Sequence, residues 1–281
     1  MDGATQQIKS VFYIIRNHFP CKIPFLCCMT PLSVVIITKN EENNIGTCID
    51  SVREIADEIV VLDSFSTDNT EQICRVKGVR FEQHTFDGHI QQKNRAKDLA
   101  AHLWVLSLDA DEKPNATLLH NIKSLKEQNF PGNVHGYSMN RLNFYCGKPI
   151  KTCGWYPDTK LRLWKKESGA WTGINPHDRF DLNTGLVSSH LPGDILHNTY
   201  PTHDDMVRQA DKFAHIAAAQ FSSKPLLWLI FKMLFSPIFK YTKNYLINQG
   251  FLDGKAGFQI CRYQASEVFN KYRLAIGLKF R

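Results

Sequence analysis

The chain has 281 residues, of which 43% are hydrophobic and 22% are charged, with a formal net charge of +7. This length and composition predict a globular protein with one substantial domain and an appendage, or two small domains, and exclude a low-complexity chain. The eight cysteines follow no regular spacing, which is typical of reduced thiols in a cytosolic protein and not of a disulfide framework.

The N-terminal residues 1–30 precede the first regular element and contain the apolar segment "VFYIIRNHFPCKIPFLCCM". Charged residues and prolines interrupt this segment, so it matches neither a signal peptide nor a membrane-spanning helix. We expect an extension that packs on the domain or on a membrane surface.

Strand and helix patterns then alternate four times. The run "LSVVIIT" (Leu32–Thr38) predicts a strand covered on both faces, and the next segment places Ile45, Ile49 and Val52 on one helical stripe. "IVVLD", "VRFEQ" and "LWVLSLD" predict three more strands, with two further helices between them. This order predicts an α/β fold, a Rossmann-like, mostly parallel sheet with helices on both faces and its ligand at the carboxyl ends of the strands. No GxGxxG motif follows the first strand and no P-loop motif occurs, so a standard dinucleotide or P-loop site is not expected.

The fourth strand ends in the acidic motif Asp109-Ala-Asp111. Two carboxylates at a strand end require a cation or protons, and Mg²⁺ or Mn²⁺ completed by phosphate oxygens would satisfy them. The motif therefore predicts a nucleotide diphosphate site. The alternative is an N-cap cluster for the following helix.

Other polar residues are expected near the same edge. Asp63 ends the second strand and can accept a hydrogen bond from a base or a ribose hydroxyl, and Lys93 could balance phosphate charge. His177 could ligate the metal, while Asp178 or Asp158 could act as a general base. Each of these residues also has a structural alternative, such as a solvated helix face or a buried ion pair.

Five segments occur in order, and together they resemble the family 2 glycosyltransferases of GT-A fold. They are "LSVVIITKNEENNIGTCIDSV", "ADEIVVLDSFSTDNT", "QQKNRA", "WVLSLDADE" and "GWYPDTKLRLW". The similarity is greatest to the lipopolysaccharide core β-1,4-glucosyltransferase type, and the C-terminal "GFLDGKAGF" extends it from Leu32 to the end of the chain. The resemblance implies a metal-dependent hexosyltransferase that uses a UDP-sugar, with glucose as the expected hexose, and inverts the anomeric centre in one displacement.

The resemblance also implies roles for individual residues. The positions that match nucleotide-sugar contacts are Thr38, Asn40, Glu41, Asp63, Lys93, Asn94 and Asp109. The positions that match the metal site are Asp111, Asp109 and His177. Two departures stand out: Phe65 replaces the glycine of a common "DSGSTD" motif, and His177-Asp178 replaces a common His-Glu pair. The base assignment is therefore divided between Asp178 and Asp158, with a slight preference for Asp178.

The predicted organisation has three parts. The extension 1–30 is followed by a glycosyltransferase domain 31–210, with a nucleotide-sugar half 31–112 and an acceptor half 113–210. Residues 211–281 form a basic, amphipathic helical region in which eleven Lys and Arg face two acids from Lys212 onward. The apolar run 224–246 is too short and too interrupted to span a bilayer, and we expect it to lie on an anionic membrane surface. The alternative is a core helix that caps the sheet.

These patterns predict a cytoplasmic protein, peripheral on the inner face of the plasma membrane, that modifies a lipid-linked glycan such as lipopolysaccharide core. A polyprenyl phosphate or capsule intermediate is an alternative acceptor. A non-catalytic membrane adaptor and a haloacid-dehalogenase-type phosphatase are the rival classes; the latter expects Thr or Val where this chain has Lys113. A nucleic-acid partner is not expected, because the basic residues are interleaved with long aliphatic runs.

Overall fold

In the computed structural model, residues 29–174 and 177–280 are described, apart from the side chain of His177. The predicted N-terminal extension up to residue 28 lies outside them. The helices are α1 (Ile45–Val52), α2 (Thr70–Val76), α3 (His89–Leu99), α4 (Ala116–Glu127), α5 (His203–Phe221), α6 (Leu226–Thr242) and α7 (Lys255–Gly277). The strands are β1 (Leu32–Thr38), β2 (Glu58–Asp63), β3 (Arg80–Gln83), β4 (Trp104–Asp109), β5 (Glu112–Pro114), β6 (Gly136–Tyr145), β7 (Lys148–Pro149), β8 (Asp158–Lys165), β9 (Gly169–Ile174), β10 (His177–Leu182) and β11 (Ser188–Tyr200).

Nine strands form one mixed sheet, and β9 and β10 form a separate hairpin. The sheet order is β3-β2-β1-β4-β8-β6-β11-β5, with β7 paired to β6. The first four strands are parallel, which confirms the α/β prediction for this half. Antiparallel pairs join β4 to β8, β8 to β6 and β11 to β5, so the segment 113–210 is built differently from the parallel half.

Both faces of the parallel half are covered. One face of β1, with Leu32, Val34 and Ile36, packs against α1, α2 and α4. The opposite face carries Val35, which belongs to a cluster with Ala96 of α3, Trp164 of β8, and Trp171 and Phe180 of the β9–β10 hairpin. Successive strand residues point to opposite faces, so a continuous apolar run is required for a strand that is buried on both sides.

The three C-terminal helices pack on the acceptor half. Their contact cluster joins Tyr145, Ile150 and Cys153 to Met206, Ile260 and Cys261. A second cluster, formed by Ala218, Leu229, Tyr272 and Ala275, holds α5, α6 and α7 together. Within the described residues, no helix is both long and apolar enough to cross a membrane. The five cysteines in the described ranges are free thiols, as expected.

Gly257 provides a test of how closely α7 packs against the backbone of Gly250. A Cβ atom at Gly257 would lie 1.8 Å from the carbonyl oxygen of Gly250, a contact that neither backbone can relieve without moving. We expect Gly257→Ala to lower the free energy of unfolding by about 1–3 kcal/mol. Denaturant unfolding monitored by circular dichroism measures this change.

The matched control lies in the same helix. Gly277 has open space around its Cβ position, so Gly277→Ala should be neutral or stabilising by up to about 1 kcal/mol. Equal stability of the two variants would contradict the close contact between α7 and the backbone of Gly250.

Candidate active site at the carboxyl edge of the parallel sheet

The carboxyl ends of β1, β2 and β4 meet at one edge. In the parallel register Thr38 lies opposite Asp63, and Ile37 lies opposite Asp109. The polar residues that follow these strands therefore converge, as predicted. Electrostatics show the same proximity, because burial and the nearby Asp111 carboxylate both raise the pKa of Glu41.

One end of this edge is organised around Asp63, which is fully buried. Its carboxylate accepts hydrogen bonds from the backbone N–H and the hydroxyl of Ser66 and from the side-chain amide of Gln83. Nearby, the Thr38 hydroxyl and the Gln92 amide oxygen are buried with no hydrogen-bond partner among the described residues. Buried polar atoms of this kind are costly unless a ligand or water satisfies them, so this end of the edge suits a polar ligand.

Two turns shape the same region through left-handed backbone conformations. Asn40 has a φ of 55° and Phe65 a φ of 57°. The Asn40 side chain accepts a hydrogen bond from the Thr67 N–H, at 2.7 Å, and its own N–H donates to the Ser66 hydroxyl. Phe65 thus adopts the conformation that glycine takes at low cost, and its ring is 53% exposed. The turn keeps a glycine-like backbone despite the side chain.

Asp109 is held by two cations of the chain. Its oxygens lie 3.1 and 3.2 Å from Lys93 Nζ and 3.2 Å from Arg162 Nη2. Burial works against ionisation of Asp109, but Lys93 and Arg162 outweigh it and hold its pKa far below the usual range. The cation that the sequence required for this carboxylate is supplied by lysine and arginine side chains. Its direct contact with a metal ion or a donor stays a prediction.

Asp111 has a different environment. Its side chain is 25% exposed, and its Oδ2 lies 3.1 Å from His197 Nε2. His197 Nδ1 lies 2.8 Å from the Asn143 side-chain oxygen and 2.9 Å from the Thr199 hydroxyl. These two partners hold the imidazole ring with Nε2 towards the carboxylate, and support of this kind orients a metal-ligating histidine.

The residues at Asp111 fit a divalent cation with a diphosphate. The described part of the chain holds no group of three or more His, Cys, Asp and Glu placed as metal ligands, so two protein ligands would be completed by donor oxygens, as is common for Mg²⁺. The side chain of His177, the histidine chosen from the sequence, lies outside the described residues. The capping alternative for this motif is not met, because Asn115 caps α4 by accepting from the Leu118 N–H.

The two carboxylates considered as bases differ in their partners. Asp178 Oδ2 accepts from Lys93 Nζ at 2.8 Å, and its side chain is 11% exposed. Asp158 is paired with Arg141 at 2.8 Å and with Lys160 at 2.9 Å. Burial opposes ionisation of Asp158, but these two cations outweigh it and lower its pKa. A carboxylate whose ionised form is stabilised in this way is a weaker base than an unpaired one.

Asn94 is placed where it joins two elements. Its side-chain amide donates to the Trp171 carbonyl and accepts from the Trp171 N–H, both at 3.0 Å. The two bonds fix α3 to β9. Both ends of the amide are therefore already hydrogen-bonded within the protein. The predicted contact of Asn94 with the donor stays a prediction.

Sequence reasoning assigned no role to Glu112, Arg141 or His197. Glu112 is almost fully buried and binds Arg162 at 2.9 Å and Arg141 at 3.4 Å. The signal available for Glu112 was its position directly after the acidic motif. His197 lies in β11, 86 residues from Asp111, and no local pattern connects the two.

Comparison with known proteins identifies the class. The profile of glycosyl transferase family 2 matches residues 33–185, more than half of the chain. The protein is therefore a glycosyltransferase. It belongs to glycosyl transferase family 2, and the resemblance seen in the sequence is confirmed.

Individual relatives cover most of the chain. An uncharacterised glycosyltransferase of Rickettsia typhi is 28% identical over 82% of this chain and 81% of its own length. The lipopolysaccharide core biosynthesis glycosyltransferase LpsC of Rhizobium meliloti is 24% identical over 87% of this chain and 94% of its own. Among solved structures, glucosyl-3-phosphoglycerate synthase from Mycobacterium tuberculosis, in complex with Mn²⁺ and UDP-glucose, has a TM-score of 0.41 and 18% identity, and covers 61% of this chain and 72% of that one.

Arg162 is expected to be essential for stability because it lies between two acids. Its side chain is 3% exposed and contacts both Asp109 and Glu112. Arg162→Met leaves buried carboxylates without their partner, so we expect the free energy of unfolding to fall by about 3–5 kcal/mol. Urea denaturation measures the loss.

The control is Arg179→Met, which breaks an exposed pair with Asp181, where the two side chains are 68% and 44% exposed. This change should cost at most about 1 kcal/mol. A similar small loss for Arg162→Met would show that the buried network does not stabilise the fold.

Proposed function

We propose that this glycosyltransferase moves a hexose, glucose, from a UDP-sugar to a lipid-linked glycan acceptor of the lipopolysaccharide core type, with inversion. Membership in the family and the extended similarity to LpsC support the reaction class and the acceptor. The observation that carries the proposal is the Asp111 carboxylate beside His197, at the same sheet edge as the buried Asp63. These groups suit the two ends of a nucleotide diphosphate.

In this proposal Asp63 and Thr38 receive the nucleoside, because both offer buried polar oxygens at adjacent strand ends. Asn40, Glu41, Lys93, Asn94 and Asp109 complete the donor side as proposed contacts or supports. Asp111 and His197 would hold Mg²⁺ or Mn²⁺, with His177 and Asp109 as further proposed ligands. The bound ion would neutralise the diphosphate and so favour its departure.

Asp178 is the proposed catalytic base. It would accept the proton of the acceptor hydroxyl as that oxygen bonds to the sugar C1 and the bond from C1 to the diphosphate breaks. Lys93 holds Asp178 and Asp109 at the same time, so it positions the base relative to the acidic strand end. The ring of Trp171, 4.6 Å from Lys93 Nζ, encloses this contact.

The proposed acceptor binds the side formed by residues 113–210, and residues 211–281 bring the enzyme to the inner face of the membrane that carries the acceptor. The remaining residues of the domain, 31–112, form the proposed donor half. Its physical basis is that the C-terminal helices pack on the segment between β6 and β8.

The first test is nucleotide release from a panel of nucleotide sugars with Mn²⁺, Mg²⁺ or EDTA, in the presence of a membrane lipid extract. We expect metal-dependent release of UDP from UDP-glucose. Asp111→Asn should abolish it, and His197→Ala should raise the half-saturating metal concentration by about 10–100-fold.

The matched control is Asp98→Asn, since that carboxylate is 69% exposed and contacts Lys97. This variant should release UDP like the wild type. Absence of release from every donor, with all proteins folded, would overturn the proposal in favour of a non-catalytic adaptor.

A second test separates the two carboxylates. Asp178→Asn should lower kcat by about 10²–10⁴-fold with little change in the donor KM, because a base acts in the chemical step. Asp158→Asn should lower kcat by a much smaller factor. Steady-state kinetics with saturating donor measure both effects.

Asp178→Glu is the conservative control for this comparison. It keeps a carboxylate at this position, so it should retain far more activity than Asp178→Asn. A larger loss for Asp158→Asn than for Asp178→Asn would transfer the base assignment to Asp158.

A further inference from the structure

One side of α6 is an exposed apolar stripe. Its members recur every three or four residues and are 36–82% exposed. They are Leu227, Ile230, Phe231, Leu234, Phe235, Ile238 and Phe239. This spacing places them on one helical face, and that face contains no charged residue.

The orientation of α6 is set by its opposite side. Leu229, on that side, is fully buried between α5 and α7, and Trp228, at the border of the stripe, is partly buried against Phe221 and Tyr272. Lys232 lies at the border, with its Nζ 5.6 Å from the centre of the Trp228 ring. The stripe therefore faces outward because the other side forms the core of the helical region, and it cannot be buried by rotating the helix.

The apolar surface continues past the end of α6. Leu246, Ile247, Phe251 and Leu252 are 48–73% exposed in the turns that connect α6 to α7. Contiguous apolar surface of this kind marks an interaction site on a protein. We call the stripe together with these four residues the apolar face.

The segment of the chain that carries most of the apolar face is basic. Residues 212–252 contain five lysines and no acidic residue. Lys224 precedes α6 and Lys243 follows it, and both are exposed. Lysines bordering an apolar helical face match the surface of an anionic bilayer, where each basic residue near the headgroups adds about 1 kcal/mol.

We propose that the apolar face is a membrane-docking surface whose occupant is a bilayer containing anionic phospholipid. The aromatic and aliphatic side chains enter the boundary between headgroups and acyl chains, while the bordering lysines contact lipid phosphates. A second copy of the chain fits less well, because two such faces would bring their lysines together. The inference concerns the lipid partner and is tested without donor or acceptor, so its outcome is separate from that of the proposed transfer reaction.

The test is co-sedimentation of the full chain with phosphatidylcholine vesicles prepared with and without phosphatidylglycerol. We expect binding to the anionic vesicles that weakens as salt rises. The variant Phe231→Glu with Phe235→Glu replaces two neighbouring rings, 4.7 Å apart, and should bind at least about tenfold more weakly. Lys224→Gln with Lys243→Gln should reduce binding by about fivefold per lysine.

The matched control is Val76→Glu with Leu103→Glu, which makes the same change in charge at two exposed apolar residues outside the C-terminal region. It should bind vesicles like the wild type, apart from a uniform effect of charge that is shared by both double variants. Circular dichroism and thermal unfolding show whether each variant retains its fold.

Three results would overturn the inference. Equal binding of the Phe231/Phe235 variant and its control would exclude the apolar face as the docking surface. A wild-type dimer in sedimentation velocity that this variant converts to monomer, with no vesicle binding, would assign the face to a second copy. A wild-type monomer that fails to bind anionic vesicles would exclude a bilayer as the occupant of the face.

Discussion

A network of alternating acidic and basic side chains, with no net formal charge, underlies the candidate active site. It joins four acids to four bases in the order Asp178, Lys93, Asp109, Arg162, Glu112, Arg141, Asp158 and Lys160. Charged groups withdrawn from water are tolerated when they are paired and hydrogen-bonded. Each internal member of this network lies between two groups of opposite charge, so none of the buried carboxylates is left without a cationic partner.

This network also determines how the elements around the site are placed. Lys93 belongs to α3, Arg162 to β8 and Arg141 to β6, while Asp178 lies on the β9–β10 hairpin. The ion pairs therefore connect the parallel half of the sheet to the antiparallel half and to the hairpin above it. Asp111 is outside the network and contacts His197, whereas Asp109 is already paired with Lys93 and Arg162. Asp111 is therefore the better placed of the two to share a cation with a ligand.

The C-terminal helices act on the same region from the other side. Cys153 donates its N–H to the Asn248 carbonyl at 3.0 Å, in the turn that follows α6. That turn belongs to the apolar face on one side and supports the segment leading to Asp158 on the other. If a bilayer occupies the apolar face, the lipid surface and the proposed acceptor side share one supporting element, which suits an acceptor that is itself held in the membrane.

The elements of the parallel half could be predicted from the sequence because their signals are local. Runs such as Leu32–Thr38 contain enough apolar residues to be buried on both faces, and the stripe on α1 follows from helical spacing alone. The carboxyl edge followed from topology, since parallel strands bring their ends together. The family resemblance and the lysine-bordered α6 were likewise visible in the chain itself.

The sequence could not determine which charged side chains pair with one another. Lys93 and Asp178 are 85 residues apart, and His197 and Asp111 are 86 apart, so only the folded sheet brings them within hydrogen-bond distance. The same holds for α6, whose periodicity predicts an amphipathic helix but not which side faces outward. Packing against α5 and α7 decided that, because burial of Leu229 and Trp228 leaves the apolar stripe on the surface. Local composition thus determined the elements and the location of the site, whereas long-range packing decided which carboxylates are neutralised within the protein and which remain available to a ligand.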